Sequence, residues 1–590
     1  MNKIIIFLIF PLLMQFAGKA FEHFPAPVPP KSIYVSVSGS DRAEGSAAKP
    51  LRTISYAVSK AMPGDRILVS AGVYRESVVF ERGGSSDRKR ITLQALNQAK
   101  VTIKGSERKT GWVKGKNKLW KCMLDSSQTG MMLFFNDKKM VNVSTLQECS
   151  NALRWTKTLE NGKTVIWANF GTSDPNAGLT EISVRNVGIS ARSGVDYLTI
   201  EGIAVSQISN DYASIYAEQP GAIATKNGKY WNIIGCSISE CHAVGISIGI
   251  TGHVYTDANP GRPEFNDYTD LASVGHHKIK GNHIFNCGQA GIFGLIGGTS
   301  STIEDNLIEN INQDGGYTGN ESAGIRLAMA VDATITHNLI RRVYGKNGYG
   351  IFLGPIFQGA RLSRNIIADS GAGLFYLFKN HGPVLFDNNI LAMADTADKD
   401  MAGVKMEASE ANVFVQNLFY NCSFYNGRQP GKSVSTSNFL PHSLVIKQTI
   451  PALDIDHRWY GNLFIGKGAG IAKPAGSEAD FNLYADGALP LSWADLNSSK
   501  AKNSFSFRLE HSQKGVELFW KNEALKPIKI PTLTAEFLGF FALSKQYIEY
   551  PDGKKITIDR DFLNAVRGTL ERTPGPFYQG QGLKPRIKLF

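Results

Sequence analysis

One unit recurs through the middle of this chain and limits what it can fold into. It reads apolar, any, any, Asn, apolar, Ile or Phe, and then a turn ending in Gly and an apolar pair. Copies stand at Ile279-Lys-Gly-Asn282-His-Ile-Phe with Gly291-Ile-Phe, at Ile303-Glu-Asp-Asn306-Leu-Ile with Gly324-Ile-Arg-Leu, and at Ile335-Thr-His-Asn338-Leu-Ile with Gly350-Ile-Phe-Leu. Others are Leu362-Ser-Arg-Asn365-Ile-Ile with Gly373-Leu-Phe, Phe386-Asp-Asn-Asn389-Ile-Leu, and Val413-Phe-Val-Gln-Asn417-Leu-Phe. The asparagines follow one another at intervals of 24 to 32 residues. An interval in the low to middle twenties is one coil of a three-sided parallel β-helix, and longer ones imply loops inserted at a turn. Alternating apolar residues face into the stack, and Asn suits a corner because it tolerates left-handed backbone and its amide can bond the next coil. The fold class is therefore all-β, a right-handed parallel β-helix of the pectate-lyase kind, with the asparagines structural.

The flanking segments read as attachments to that solenoid. Residues 1–20 have the form of a signal peptide: Lys3, an apolar run from Ile4 to Phe16, and Ala17-Gly-Lys-Ala20. No later segment has eighteen unbroken apolar residues, so a membrane span is not expected, and the reading is of a periplasmic or secreted protein. Over 21–106, a Pro-rich linker precedes a strand from Tyr34. A helix then carries Leu51, Ile54, Ala57, Val58 and Ala61 on one side, and Pro63-Gly-Asp65 stops it. That order suits an N-terminal cap and first coils. Residues 107–188, rich in Trp, Lys and turn signals, predict an inserted antiparallel β-sandwich. The β-helix with its cleft spans 189–514, and 515–590 lose the repeat and form a C-terminal extension.

Composition excludes some functions. Six cysteines in 590 residues are too few for a disulfide scaffold and form no close zinc-type pairs. They read as buried apolar residues. The net charge of +13 is scattered, without a basic tail or helix, which argues against nucleic acid and favours an anionic polysaccharide or oligosaccharide partner. No metal motif is present and no cofactor is expected, although a calcium ion held by loop oxygens stays open.

Several stretches, in order along most of the chain, are similar to the β-helical β-xylosidases of glycoside hydrolase family 120. They are Ala217-Glu218-Gln219-Pro-Gly221, Gly245-Ile-Ser-Ile-Gly249, Tyr317-Thr-Gly-Asn-Glu321-Ser-Ala-Gly, Asn380-His381-Gly-Pro383 with Asp387-Asn-Asn389, Pro551-Asp-Gly553 and Pro574-Gly-Pro-Phe577. The resemblance implies a β-helix with an inserted sandwich and a sugar cleft. It also implies a retaining mechanism, with a nucleophile closing a Gly-Ile-aromatic-Leu-Asp strand and an acid/base Glu shortly before Asn-His-Gly-Pro. Here the first motif reads Gly350-Ile-Phe-Leu-Gly354 and the second Leu374-Phe-Tyr-Leu-Phe-Lys-Asn-His381. Retaining hydrolysis needs two carboxyls about 5 Å apart, so it cannot run on these positions.

Tyr376, Lys379 and His381 stand there instead, and with Glu321 they are the candidate catalytic groups. Glu218, Gln219, Tyr317, Arg326, Tyr349, Lys405, His442 and Arg458 are candidate substrate contacts. Losing two carboxylates and gaining Lys and Arg shifts the expected substrate toward a uronic acid or sulfated sugar. For a uronate the accessible chemistry is β-elimination, in a polysaccharide lyase or an oligosaccharide dehydratase acting at the non-reducing end. Two rivals remain at this point: an exo-acting glycosidase using relocated carboxylates such as Glu321, Asp332, Asp314 or Glu407, and an inactive sugar-binding protein.

Overall fold

A computed structural model describes residues 30–124, 132–215, 219–249, 271–394, 402–427, 435–451, 453–466, 473–491, 497–500, 506–512, 515–521, 528–568, 573–578 and 586–588. The expected signal peptide and Glu218 lie outside them. The chain winds as a right-handed parallel β-helix with three faces, each coil giving one strand to each face in turn. One coil runs through Lys278–Lys280 on the first face, His283–Cys287 on the second and Ala290–Leu295 on the third. The first and second faces each hold 13 strands and the third holds 10. Like residues stack in register, as in Ile279↔Ile303↔Ile335↔Leu362↔Phe386↔Phe414↔Trp459. Toward the C-terminal coils this column turns aromatic, with Phe386 and Phe414 stacked at 4.8 Å and Phe414 and Trp459 at 5.6 Å.

The asparagines form a continuous ladder between the first and second faces. Asn338 Oδ1 accepts from the Asn306 backbone N–H (3.1 Å) and Nδ2 (2.9 Å), while Asn338 Nδ2 donates to Ile303 O (2.9 Å) and to Asn365 Oδ1 (3.0 Å). The pattern runs on through Asn389 and Asn417 to Asn462 and Asn482, two rungs that the repeat search did not include. One expectation needs correction. The left-handed residue is the one before each asparagine, such as Asp305, His337, Arg364 and Gln416, and none of the ladder asparagines has positive φ. The preceding residue makes the corner, which frees the Asn side chain to turn inward and satisfy buried backbone groups.

At the N-terminal end the helix Ile54–Lys60, capped by Thr53, buries Ile54, Ala57 and Val58 over the first coil. The insertion is two sheets, one of four strands and one of five, around Trp112, Phe135, Trp155, Ile166 and Phe170. Its pairing is antiparallel except that Val141–Asn142 pairs in parallel with Arg154 and Trp155. All six cysteines are buried, and no disulfide joins any two of them among the described residues. The C-terminal extension lays Ile530, Leu533, Leu538 and Ile556 against Val413, Val415 and Tyr460 on the first face, and Phe562 and Phe577 against the second. The third face carries no such cover among the described residues. A clasp holds the extension in place: His442, beside an antiparallel hairpin, lies 3.0 Å from Asp332 through Nδ1 and 3.0 Å from Glu549 through Nε2.

Two predictions follow from these contacts. Replacing Asn365 with Leu orphans the Asn338 backbone N–H, removes one of the Asn338 side-chain amide's acceptors and takes a donor from the Ile335 carbonyl. Stability in chemical denaturation should fall by at least ~2 kcal/mol, against under ~0.5 kcal/mol for Ala at exposed Asn151. The Asp332 hydrogen bond, then the charges of Asp332 and Glu549, raise His442 from its ordinary 6.5 to about 9. A raised folded-state value means the clasp is fully stabilising below 6.5 and is lost as pH rises through about 9. Melting temperature should fall across that window in the native protein and less so in His442→Gln, the two curves meeting at the alkaline end.

Candidate active site

The third face, which the extension leaves uncovered among the described residues, brings Tyr376, Lys379, Arg326, Tyr349 and Lys405 together. On its strands Ser322–Ala328, Gly348–Leu353, Gly373–Phe378, Val404–Glu407 and Phe424–Gly427, strand alternation sends Ile325, Ile351, Phe375 and Val404 into the solenoid core. The residue after each points outward, giving the registered column Arg326↔Phe352↔Tyr376↔Lys405↔Tyr425. Two cations thus frame an aromatic wall made of Tyr349, Phe352, Tyr376 and Phe378. Tyr376 lies 4.8 Å from Tyr349, 4.4 Å from Phe352 and 5.7 Å from Phe378, centroid to centroid.

Arg326 is the fixed end of this column. Its guanidinium is 1% exposed, ion-paired with Glu321, donates to Gly354 O (2.6 Å) and lies 3.7 Å from the centre of the Phe352 ring. Lys405 is the open end, with its ammonium 3.4 Å from Glu407, 4.5 Å from the Tyr376 ring centre and 5.8 Å from that of the exposed Tyr425. Between them the Tyr376 hydroxyl donates to Glu407 Oε2 at 2.9 Å. Burial first, then the Glu407 charge, hold that phenol far above the ordinary tyrosine range, and burial first pushes Tyr349 up to about 12. Lys379 turns the corner after the strand with φ 52° and sets its amine 4.6 Å from the Phe378 ring centre. Burial lowers the Lys379 pKa, with Glu407 opposing. A phenol that keeps its proton and an amine disposed to give its proton up flank one aromatic surface.

Of the positions at which the resemblance would put carboxylates, Gly354 is closed by geometry as well as by residue type, and neither Leu377 nor Phe378 carries an acid. Gly354 has φ 123°, and a Cβ there would lie 1.9 Å from Phe378 O. Leu377 points into the core. Among the proposed relocated carboxylates, Glu321 is held by Arg326, Asp332 by His442 and Asp314 by Lys139, and Glu407 alone faces the aromatic wall.

Other expected residues are placed differently. His381 is 2% exposed with Nδ1 3.3 Å from Glu410 Oε2, so it braces the corner behind Lys379 and does not face the wall. Arg458 lies on the first face, bonded to Asp456 and under Phe541 of the extension. His442 is held in the clasp. Neither therefore joins the column, because the strand register carries Arg458 to another face and two carboxylates fix His442. Gln219 is buried, and its Oε1 accepts from Leu295 N at 3.0 Å. The Tyr317 hydroxyl accepts from Glu321 N at 3.3 Å, at the N-terminal edge of the face. Sequence reasoning missed Phe352 and Phe378, which the outward alternation along each strand would have identified. It also missed Asp454, raised to about 6 by burial first and then by Glu407 and Glu410. No sequence signal marks Asp454, because it reaches the site only through the fold, after the antiparallel hairpin Ser435–Phe439/Ile446–Pro451.

The comparisons agree with this architecture. The family model described as a right handed beta helix region matches residues 221–355, and one for a protein of unknown function (DUF1565) matches 37–81. A segment of 73 residues is 37% identical to the uncharacterized protein YwoF of Bacillus subtilis (strain 168), covering 12% of this chain and 15% of that protein. Among solved structures, XylC in complex with xylose superposes with a TM-score of 0.82 at 25% identity, over 95% of this chain and 100% of that one. A glycoside hydrolase and the pectate lyase Pel9A match at TM-scores of 0.46 and 0.38, with 11% and 12% identity over 78% and 77% of this chain and 96% and 80% of theirs, too low to bear on chemistry. The chain thus has the fold of a carbohydrate-active β-helix enzyme, and no helix among the described residues is long and apolar enough to cross a membrane.

Proposed function

We propose that this protein is an exported enzyme that acts on acidic oligosaccharides, carrying a uronic acid or sulfated residue, by β-elimination at the non-reducing end, on the third face. The observation that carries this reading is the placement of Lys379 and Tyr376 around one aromatic surface, between the cations Arg326 and Lys405. The Lys379 amine, its proton loosened by burial, takes the proton from C5 of a uronate. The electron pair forms the C4–C5 double bond as the C4–O bond breaks. The Tyr376 phenol, backed by Glu407, protonates the departing oxygen. Lys405 lies where it can steady the substrate carboxylate, and Arg326 fixes the neighbouring wall. His381 is a positioning residue for Lys379. The products are an unsaturated uronate together with either a saccharide bearing a new reducing-end hydroxyl, as for a lyase, or water, as for a dehydratase. The full-length similarity to XylC, solved with xylose, supports a sugar in this cleft, and residues 1–20 support export.

One observation favours hydrolysis as a second reading. Glu407 pairs in register with Phe378, one coil beyond the strand that resembles the xylosidase acid/base segment, and burial first, then the Glu407 and Glu410 charges, push the nearby Asp454 up to about 6, in reach of a general acid.

Incubation with uronate-containing oligosaccharides should produce the ultraviolet absorbance of a conjugated double bond, with mass spectrometry showing loss of water for a dehydratase. Lys379→Met and Tyr376→Phe should each lower the rate by roughly 10²–10⁴-fold, the ordinary contribution of a proton-transfer group. His381→Ala should act more weakly and shift the pH profile. No absorbance change across an acidic panel, with reducing sugar released instead and that release lost in Glu407→Gln, would replace elimination with hydrolysis.

A further inference from the structure

A second crevice, of about 680 Å³, opens between the inserted sandwich and the corner joining the second and third faces. Its volume is that of a small-ligand site. From the sandwich side Trp155 lines it, 1% exposed, with an indole N–H that has no hydrogen-bond partner among the described residues. From the solenoid side comes Asn286, whose Nδ2 donates to Glu240 at 2.6 Å and whose buried Oδ1 likewise has no partner. An orphaned donor and an orphaned acceptor on opposite walls of one cavity are costly unless something answers both. At the mouth Tyr212, 39% exposed, rests against His242 at 4.8 Å and Tyr317 at 4.9 Å, leaving ring surface toward solvent.

The charges in this crevice are balanced. Lys139 of the sandwich is ion-paired with Asp314 of the solenoid. Burial first raises the Glu240 carboxyl and lowers the His242 imidazole, so both lean toward their neutral forms. The chemistry is unlike the cationic third face, and it suits a ligand offering hydroxyls as both donors and acceptors together with an apolar ring face. The crevice is also joined to the third face, since Tyr317 touches Tyr212 on one side and accepts from Glu321 N on the other.

We infer that the crevice between sandwich and solenoid is a second sugar-binding site that takes a neutral pyranose unit, stacked on Tyr212 and hydrogen-bonded to Trp155 and Asn286. In its fullest form this rests on the proposed oligosaccharide chemistry: the neutral unit is then part of the same chain whose acidic residue occupies the third face. Its own test is independent of turnover.

Saturation-transfer NMR on the full-length protein with methyl β-glucoside, methyl β-galactoside and methyl β-xyloside reads this site directly. At least one should bind. Tyr212→Ala, at an exposed position, should abolish or greatly reduce the transfer, and Trp155→Phe, which keeps the ring in the sandwich core, should weaken affinity roughly fivefold, the loss of one hydrogen bond. Lys379→Met should leave this binding intact. That separates the two proposals: neutral-sugar binding lost in Tyr212→Ala sustains the crevice even if no substrate is turned over. Failure of all three glycosides to bind, or binding indifferent to both crevice variants, would overturn it whatever the fate of the elimination reading.

Discussion

Hydrogen bonding from each coil to the next is the constraint on which everything else in this molecule depends. A parallel β-helix satisfies its backbone only through neighbouring coils, and at a corner the strands cannot do so. The asparagine ladder supplies the missing partners between the first and second faces, each amide serving the coils on either side. Because side chains alternate along a strand, a slip of one residue would exchange core and surface throughout a face. The ladder therefore fixes more than stability. It sets the register that puts Arg326, Phe352, Tyr376, Lys405 and Tyr425 in one outward row.

Cover then decides which face can do chemistry. The C-terminal extension packs apolar residues on the first and second faces and is clasped at the corner through Asp332, His442 and Glu549. Among the described residues the extension leaves the third face uncovered, although Phe439 and Leu444 pack against its Phe293, and the inserted sandwich stands at its second-face edge. Burial shifts two neighbouring groups there in opposite directions. A half-buried phenol is driven to keep its proton and a half-buried ammonium to release one, although the two lie on the same strand and the turn that follows it.

Much of this was legible in the chain. The recurrent Asn and its apolar neighbours announced the coils because every coil repeats the same local problem and solves it with the same residue. The N-terminal helix was readable from its own periodicity, with Ile54, Ala57 and Val58 on one side. Tyr376 and Lys379 could be singled out as candidates because they stand just before Asn380-His-Gly-Pro, where the resemblance implies an acid, and Arg326 because it follows Glu321. His381 could not be placed correctly: the sequence shows an imidazole beside Lys379, and only packing turns it inward against Glu410.

What the sequence determined by itself is the local grammar: strand, corner, strand, with a left-handed residue ahead of an inward Asn, since backbone sterics and alternation act over a few residues. Only the tertiary structure decided which distant residues share a surface. Lys405 joins Tyr376 across a loop, Asp454 returns through a hairpin, Arg458 is carried to another face, and Trp155 meets Asn286 across the sandwich junction. Those pairings depend on loop lengths and coil register summed over the whole solenoid, and no short stretch of chain encodes that sum.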